Sequence, residues 1–430
     1  MFEKLFKLKE HKTTARTEII AGITTFMTMA YILAVNPDFL SATGMDKNAL
    51  FTATAISAIV GTLVMAFVAN YPFALAPGMG LNAFFAFTVV IGMGYTWEFA
   101  LTAVFLEGII FLFLTAFNIR ELIVNSIPMN VKHSISAGIG LFIAFIGLQN
   151  AEIIVDNDAT LVSLGNMGSE TVWVAVFGIV LSGVLLARNV KGALLIGILG
   201  STALAIALGV ISLPETSIVT TPPSLEPIFW KFEFSQVFTV DMLFVLFTFL
   251  FVDMFDTVGT LVGVADKAEM LDKDGKLPKV KQALFADSIG TTVGSILGTS
   301  TVTTYVESAS GVSEGGRTGL TALTVAFMFA ISLFFAPLFT MIPSSATAPA
   351  LVLVGLFMMS PIKKIDLTDF TEAIPAFLTI LIMPLTYSIA EGIVFGMLSY
   401  VILKVLTGKR KEISIVMFVI AILFIGKFFM

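Results

Sequence analysis

The sequence predicts an all-α polytopic membrane protein. It reads as fourteen transmembrane segments in two inverted seven-span repeats, with short antiparallel strands in the broken spans 3 and 10. Three observations point there. First, AVILMFWYC residues make up 57% of the 430-residue chain and DEKR residues only 13%, against about 25% charged residues in soluble domains. Second, apolar runs of roughly membrane-spanning length recur at 17–36, 49–69, 77–91, 97–117, 132–150, 171–187, 192–212, 240–265, 281–297, 300–313, 317–341, 346–360, 372–388, 390–406 and 413–429. Third, with the N-terminus placed in the cytoplasm, 21 of the 24 Lys and Arg residues fall on the cytoplasmic side, as the positive-inside rule requires. Only Lys47 and Lys231 fall outside, and Lys427 lies in the last apolar run.

That composition excludes a secreted domain, a nucleic-acid binder and a cytosolic enzyme. The absence of cysteine removes disulfides and thiolate chemistry. His11 and His133 are too few and too distant for a histidine metal site, so no metal or cofactor is expected. Residues 1–16 are basic and polar, with no signal peptide, and fit a cytoplasmic N-terminus of a cell-membrane protein. The inner loop 266–281 should turn at Asp274-Gly275. Whether the fifteenth run, 413–429, crosses the membrane stays open.

Seven spans precede the 213–239 loop and seven follow it. An odd number per half inserts the second half upside down, and transporters built this way bind substrate on broken helices at the repeat interface. Span three reads Tyr71-Pro72-Phe73-Ala74-Leu75-Ala76-Pro77-Gly78-Met79-Gly80-Leu81-Asn82-Ala83, and its prolines argue against a continuous helix. In span ten every residue from Thr301 to Val306 is β-branched or aromatic, which favours extended chain. Extended backbone at membrane depth is tolerated only where protein or a cavity satisfies it. Short strands at about 73–77 and 301–305 are therefore expected, each leading into a half-helix.

No Lys or Arg falls in the middle of the first fourteen spans, but carboxylates do: Glu107, Asp253, Asp256, Asp287, Glu307 and Glu391. Each costs about 2.5–3.5 kcal/mol at the bilayer centre on insertion scales. Without basic partners they must be protonated, hydrated or bound to substrate or cation. Asp253 and Asp256 share one helix face, and a pair of this kind suits proton binding and release near neutral pH. Gly259 and Gly263 follow at a spacing that allows close approach by another helix. Glu307 directly follows the expected strand. For Glu107, Asp287 and Glu391 a structural role is at least as strong a reading.

Several stretches together resemble the nucleobase/ascorbate transporter superfamily, and specifically its AzgA-like purine (guanine/hypoxanthine or adenine) permeases. They are Thr303-Thr304-Tyr305-Val306-Glu307-Ser308, Glu18 to Phe26, Pro77 to Phe85, the Asp253/Asp256 segment, and Ala373-Ile374-Pro375-Ala376-Phe377. The resemblance covers nearly the whole chain. It implies a cytoplasmic N-terminus (1–16), a core domain of spans 1–4 (17–117) and 8–11 (240–341), and a gate domain of spans 5–7 (118–239) and 12–14 with the C-terminal apolar segment (342–430). It further implies elevator-like movement and a possible homodimer. The residues it ties to purine recognition are Asn82, Asp253, Asp256 and Glu307. The uracil branch carries a histidine where this chain has Thr260, so proton coupling shifts toward Asp253, Asp256 and Glu307.

The residue chemistry is compatible with a purine. A carboxylate accepts from ring N–H and amino groups. Backbone amides near Val306 and Ala83 could meet ring acceptors, and Phe84, Phe251 or Tyr305 could cover a ring face. The expected function is proton-coupled uptake of purine nucleobases, guanine/hypoxanthine ahead of adenine. A Na⁺-coupled carrier and a sulfate-type anion transporter of the same architecture are the alternatives. The residues leave the choice among purines, the stoichiometry and the oligomeric state open.

Overall fold

The computed structural model describes residues 2–117, 128–213, 217–272 and 277–427. The expected Asp274-Gly275 turn lies outside the described residues. In chain order the helices are α1 (Phe2–Phe6), α2 (Ala15–Met29), α3 (Ile32–Ser41), α4 (Lys47–Val64), α5 (Met79–Ala83), α6 (Trp97–Ala116), α7 (Met129–Asn150), α8 (Glu170–Ala187), α9 (Ala193–Ala207), α10 (Val240–Lys267), α11 (Val280–Leu297), α12 (Ser308–Ser313), α13 (Gly319–Ser332), α14 (Ala336–Thr340), α15 (Ser344–Met358), α16 (Phe370–Leu385), α17 (Ile389–Leu406) and α18 (Ile415–Lys427). The strands are β1 (Leu75–Pro77), β2 (Ile154–Asn157), β3 (Leu161–Leu164) and β4 (Val302–Thr304). Among the described residues, eight helical stretches are long and apolar enough to cross a membrane, and three shorter apolar ones accompany them. This is a mostly helical, multi-pass membrane protein.

Helix starts follow local chemistry. Thr14, Asp46, Thr96, Ser169, Asp369 and Ser388 each cap the next helix by accepting from a backbone N–H in its first turn. Such caps are worth about 1 kcal/mol each. Asn70, left-handed at φ 57°, closes the helical segment that continues α4 through a π-helical turn, Met65–Ala69. Its side chain donates to Phe6 O and accepts from Gly319 N.

Extensive helix contacts join α11 with α4 and α6, and α13 with α2 and α4. Others join α7 with α15 and α16, and α8 with α9 and α15. In the α7–α15 pair a Cβ on Gly140 would lie 2.5 Å from the Gly355 carbonyl oxygen. Only glycine permits that approach, which replaces the hydrophobic drive missing between helices in lipid with backbone-close packing.

The expected strands are present. β1 and β4 pair antiparallel with Leu75 opposite Thr304, Ala76 opposite Thr303 and Pro77 opposite Val302. The ribbon extends through Gly78 N to Thr301 O and Tyr305 N to Ala74 O, both 2.9 Å. Its outer edges are closed by side chains. The Thr62 hydroxyl of α4 accepts from Leu75 N and donates to Leu75 O, at 2.9 and 3.1 Å. Thr291 of α11 does the same for Val302 N and O, at 3.2 and 3.0 Å. One threonine from each half thus satisfies amides that would otherwise cost several kcal/mol in a lipid-like interior.

Two further features stand out. Residues 150–170 fold into a β2–β3 hairpin, whose short strands carry no clear alternating signal. The close helix approach expected at Gly259 and Gly263 is not seen at Gly263, where an added Cβ would meet nothing within 4 Å.

Candidate functional site

The β1–β4 ribbon places the ends of two broken segments beside α10. Beyond β1, Gly78 leads into α5 and a π-helical continuation, Phe84–Gly92. Beyond β4, Tyr305 and Val306 lead to Glu307, which begins α12. A Cβ on Gly78 would lie 2.6 Å from the Thr303 methyl and 3.7 Å from Asp256 Oδ2. That glycine therefore lets the ribbon and the acidic face of α10 meet. A Cβ on Gly80 would instead meet Ile139 of α7 and Met358 of α15.

Glu307 is half-buried, and its Oε1 accepts from the Tyr31 hydroxyl at 2.7 Å. Val306 beside it is 52% exposed, in contrast to the fully buried strand before it. Asp256 is also half-buried, close enough to both Asp253 and Glu307 to interact with each electrostatically. Neither Asp256 nor Glu307 forms an ion pair among the described residues.

Asp253 is fully buried. Its Oδ1 lies 2.8 Å from the Thr257 hydroxyl. The same hydroxyl is 3.1 and 3.2 Å from the oxygens of Asp287 and 2.7 Å from the Thr303 hydroxyl. Two buried carboxylates therefore meet at one hydroxyl, which has a single proton to donate. Asn82 is fully buried on α5, where its Oδ1 accepts from Ser300 and its amide nitrogen lies 3.7 Å from Met79 Sδ. Glu107 of α6 accepts from the Thr301 hydroxyl at 2.6 Å, at the start of the second strand.

The structure thus gathers Asn82, Asp253, Asp256, Glu307, Tyr305, Val306 and Ala83 around one ribbon. It separates the aromatic candidates from open space. Phe84 is fully buried, edge-on to Phe249, and Phe251 stacks on Phe247. Tyr305 is 5% exposed and its hydroxyl donates to Pro77 O at 2.5 Å. Large apolar rings near a site are drawn into packing first, which is why these faces are taken. Glu391 lies at the start of α17, where its backbone N–H meets the Ser388 cap.

Sequence reasoning misses Tyr31, Thr257 and Glu18, and it underweights Asp287. Tyr31 sits between α2 and α3, at a break in the first crossing. Its signal is a tyrosine in mid-span, one of six in a chain with 41 Phe, since a buried phenol needs a hydrogen-bond partner that a bare ring does not. Thr257 lies one helical turn after Asp253. Glu18 is fully buried and accepts from Arg317 N, Thr318 N and the Thr321 hydroxyl at 2.9, 3.2 and 2.6 Å. It tethers α2 to the start of α13 and lies at a helix start, where a carboxylate reads as a solvated first-turn residue.

A multi-pass bundle that keeps extended backbone and the half-buried carboxylates of Asp256 and Glu307 at one locus has the makings of a membrane transporter rather than an enzyme. Comparison with known proteins agrees. The family model described as "Permease family" matches residues 16–395, and the chain belongs to that family. It is 45% identical over 427 residues to the adenine permease AdeP of Escherichia coli (strain K12), covering 99% of this chain and 96% of that one. It is 46% identical over 431 residues to the guanine/hypoxanthine permease PbuG of Bacillus subtilis (strain 168), covering 98% of both. Among solved structures, the transmembrane domain of the cyanobacterial bicarbonate transporter BicA superposes with a TM-score of 0.65 at 16% identity, covering 87% of this chain and 96% of that one. That last likeness speaks for the fold alone.

Proposed function

We propose that this permease imports purine nucleobases, guanine/hypoxanthine ahead of adenine, by proton-coupled secondary active transport. The observation that carries the reading is the half-buried pair Asp256 and Glu307, opening beside Val306 at the β1–β4 ribbon with no ion pair among the described residues. A neutral heterocycle with N–H donors suits such acceptors, whereas an anion would require a positive site. The names of the adenine and guanine/hypoxanthine permeases, at 45–46% identity over nearly the full chain, support the same substrate class.

In this reading the chain makes fourteen crossings in two inverted sevens in the cell membrane, with a cytoplasmic N-terminus. The core domain is 17–117 with 240–341, and the gate domain is 118–239 with 342–430. Purine binds between the ribbon and the gate helices α7 and α15, with Glu307 and Asp256 as acceptors. Asn82 and the backbone at Ala83 and Val306 complete the polar contacts, and Tyr305 underlies the site. A proton taken by Asp253, Asp256 or Glu307 neutralises buried charge before the core slides toward the cytoplasm. Proton and purine leave, and the empty carrier resets.

The test is uptake of labelled hypoxanthine in cells lacking their own purine permeases, challenged by unlabelled adenine, guanine, xanthine and uracil. Uphill accumulation that a protonophore abolishes and sodium removal leaves intact is the expected result. Accumulation that survives the protonophore but needs sodium would replace the proton with Na⁺. Sulfate uptake without hypoxanthine uptake would overturn the substrate assignment.

A further inference from the structure

A cavity made of residues other than those of the ribbon lies at the junction of α17 and α18. It has a volume of about 470 Å³ and is lined by Val405, Arg410, Ile413, Ser414, Ile415 and Phe418. Four of these six side chains are apolar, one is a hydroxyl and one a guanidinium. The charges around it are unevenly spent. Lys404 is 1% exposed and meets Glu372 at 2.7 Å and Glu412 at 2.5 Å. Lys409 meets Asp369 at 2.5 Å and, with the Thr371 contacts, holds that carboxyl well below the usual carboxylate range. The three local carboxylates are therefore occupied by two lysines. Arg410 and Lys411 form no ion pair among the described residues, and both are exposed.

The helix that leaves this cavity continues its apolar character outward. Ile415, Phe418, Ile422 and Ile425 are 85%, 48%, 56% and 43% exposed. Their spacing of three, four and three sets them on one helix face. The opposite side carries Met417, Ala421 and Phe424, which are buried, and Phe424 packs edge-on against Phe247 of α10 at 5.6 Å. α18 is thus seated on the bundle with an apolar stripe running from the Arg410 cavity along its free side.

We propose that this junction is a binding site for an anionic phospholipid, with the Arg410 guanidinium on the phosphate and an acyl chain along Ile415, Phe418 and Ile422. A guanidinium matches phosphate geometry through paired N–H donors. The apolar walls call for an amphiphile, because a free phosphate would leave them wet. The spare positive charge selects a net-negative headgroup over a zwitterionic one. The charged cluster 404–412 marks the headgroup level, and the stripe on α18 leads from it toward the hydrocarbon. The site is separate from the transport site and does not depend on the identity of its substrate.

Native mass spectrometry of the full-length protein, released from nanodiscs of phosphatidylglycerol and phosphatidylcholine, tests this. The wild type should retain phosphatidylglycerol in preference to phosphatidylcholine. Arg410→Ala should weaken phosphatidylglycerol retention about fivefold, the effect of one interfacial cationic side chain, and Arg410→Lys should recover part of it. Phe418→Ala should weaken it less. Equal retention of both lipids by the wild type would overturn the proposal whatever the variants do. So would equal phosphatidylglycerol retention by wild type and Arg410→Ala, or its displacement by millimolar inorganic phosphate, which would mark a simple anion site.

Discussion

The two broken crossings are built on one plan and used differently. In the first, β1 is fully buried and runs into α5 and its π-helical continuation, where Asn82, Phe84 and Phe85 have no exposure at all. In the second, β4 is just as buried, but the two residues after its tyrosine emerge: Val306 at 52% exposure and the half-buried Glu307. Both strands receive the same threonine support from a neighbouring helix. The difference therefore does not lie in how the breaks are stabilised. It lies in the residues at the exit of each strand: small and aromatic side chains that pack in one half, a carboxylate that stays accessible in the other. Two breaks of like construction thus differ in exposure: the first is packed at its exit, and the second presents a half-buried carboxylate.

If the proposed site is right, that contrast can be broken most directly at Glu307. Glu307→Gln keeps the shape and the Tyr31 contact but removes the charge, and hydrogen bonds to charged groups are worth about 1.5–3 kcal/mol. Purine uptake should fall about 10- to 100-fold with normal surface expression; uptake near the wild-type rate would remove Glu307 from the proposed site. Gly78→Ala attacks the junction between the halves, because its Cβ would sit 2.6 Å from the Thr303 methyl. Overpacking of this kind costs about 1–3 kcal/mol. A lowered melting temperature in detergent and reduced uptake are expected together, and an unchanged melting temperature would count against tight pairing there. Tyr31→Phe deletes the 2.7 Å bond to Glu307. It should raise the KM for purine about two- to tenfold while leaving expression intact. The smallest effect is expected at Phe84→Leu. If Phe84 only packs on Phe249, the lost ring volume costs stability, on the order of 1–2 kcal/mol, while KM stays within about twofold. A large rise in KM would instead return that ring to the substrate.

Much of this architecture is legible in the chain because lipid imposes few solutions. Apolar run length locates most of the helices. The prolines at 72 and 77 and the β-branched run at 301–306 locate the ribbon, close to the ends of both strands. Carboxylates in apolar runs point to Asp253, Asp256 and Glu307 for the same reason: their cost in a bilayer makes them conspicuous. Tyr31 and Thr257 are less visible because a hydroxyl in a span is cheap, and its importance arises only from the partner the fold brings to it. Asp287 reads as structural when taken as a lone acid; its approach to Thr257 emerges only when α10, α11 and β4 converge. Phe84 and Phe251 show the converse. Proximity in sequence to a site residue says little about which side of a helix an aromatic ring will take.

The ribbon also bears on how the protein is made. Pro77 and Tyr305, joined through the tyrosine hydroxyl, stand 228 positions apart, so β1 leaves the ribosome long before β4 exists. Thr62 can serve one edge of the early strand at once, but the other edge has to wait for the second half of the chain. The N-terminal half on its own should therefore be an easy target for membrane quality-control proteases. Co-expression of 240–430 with 1–239 should rescue it, and a long-lived N-terminal half would show that the early strand finds another partner while it waits.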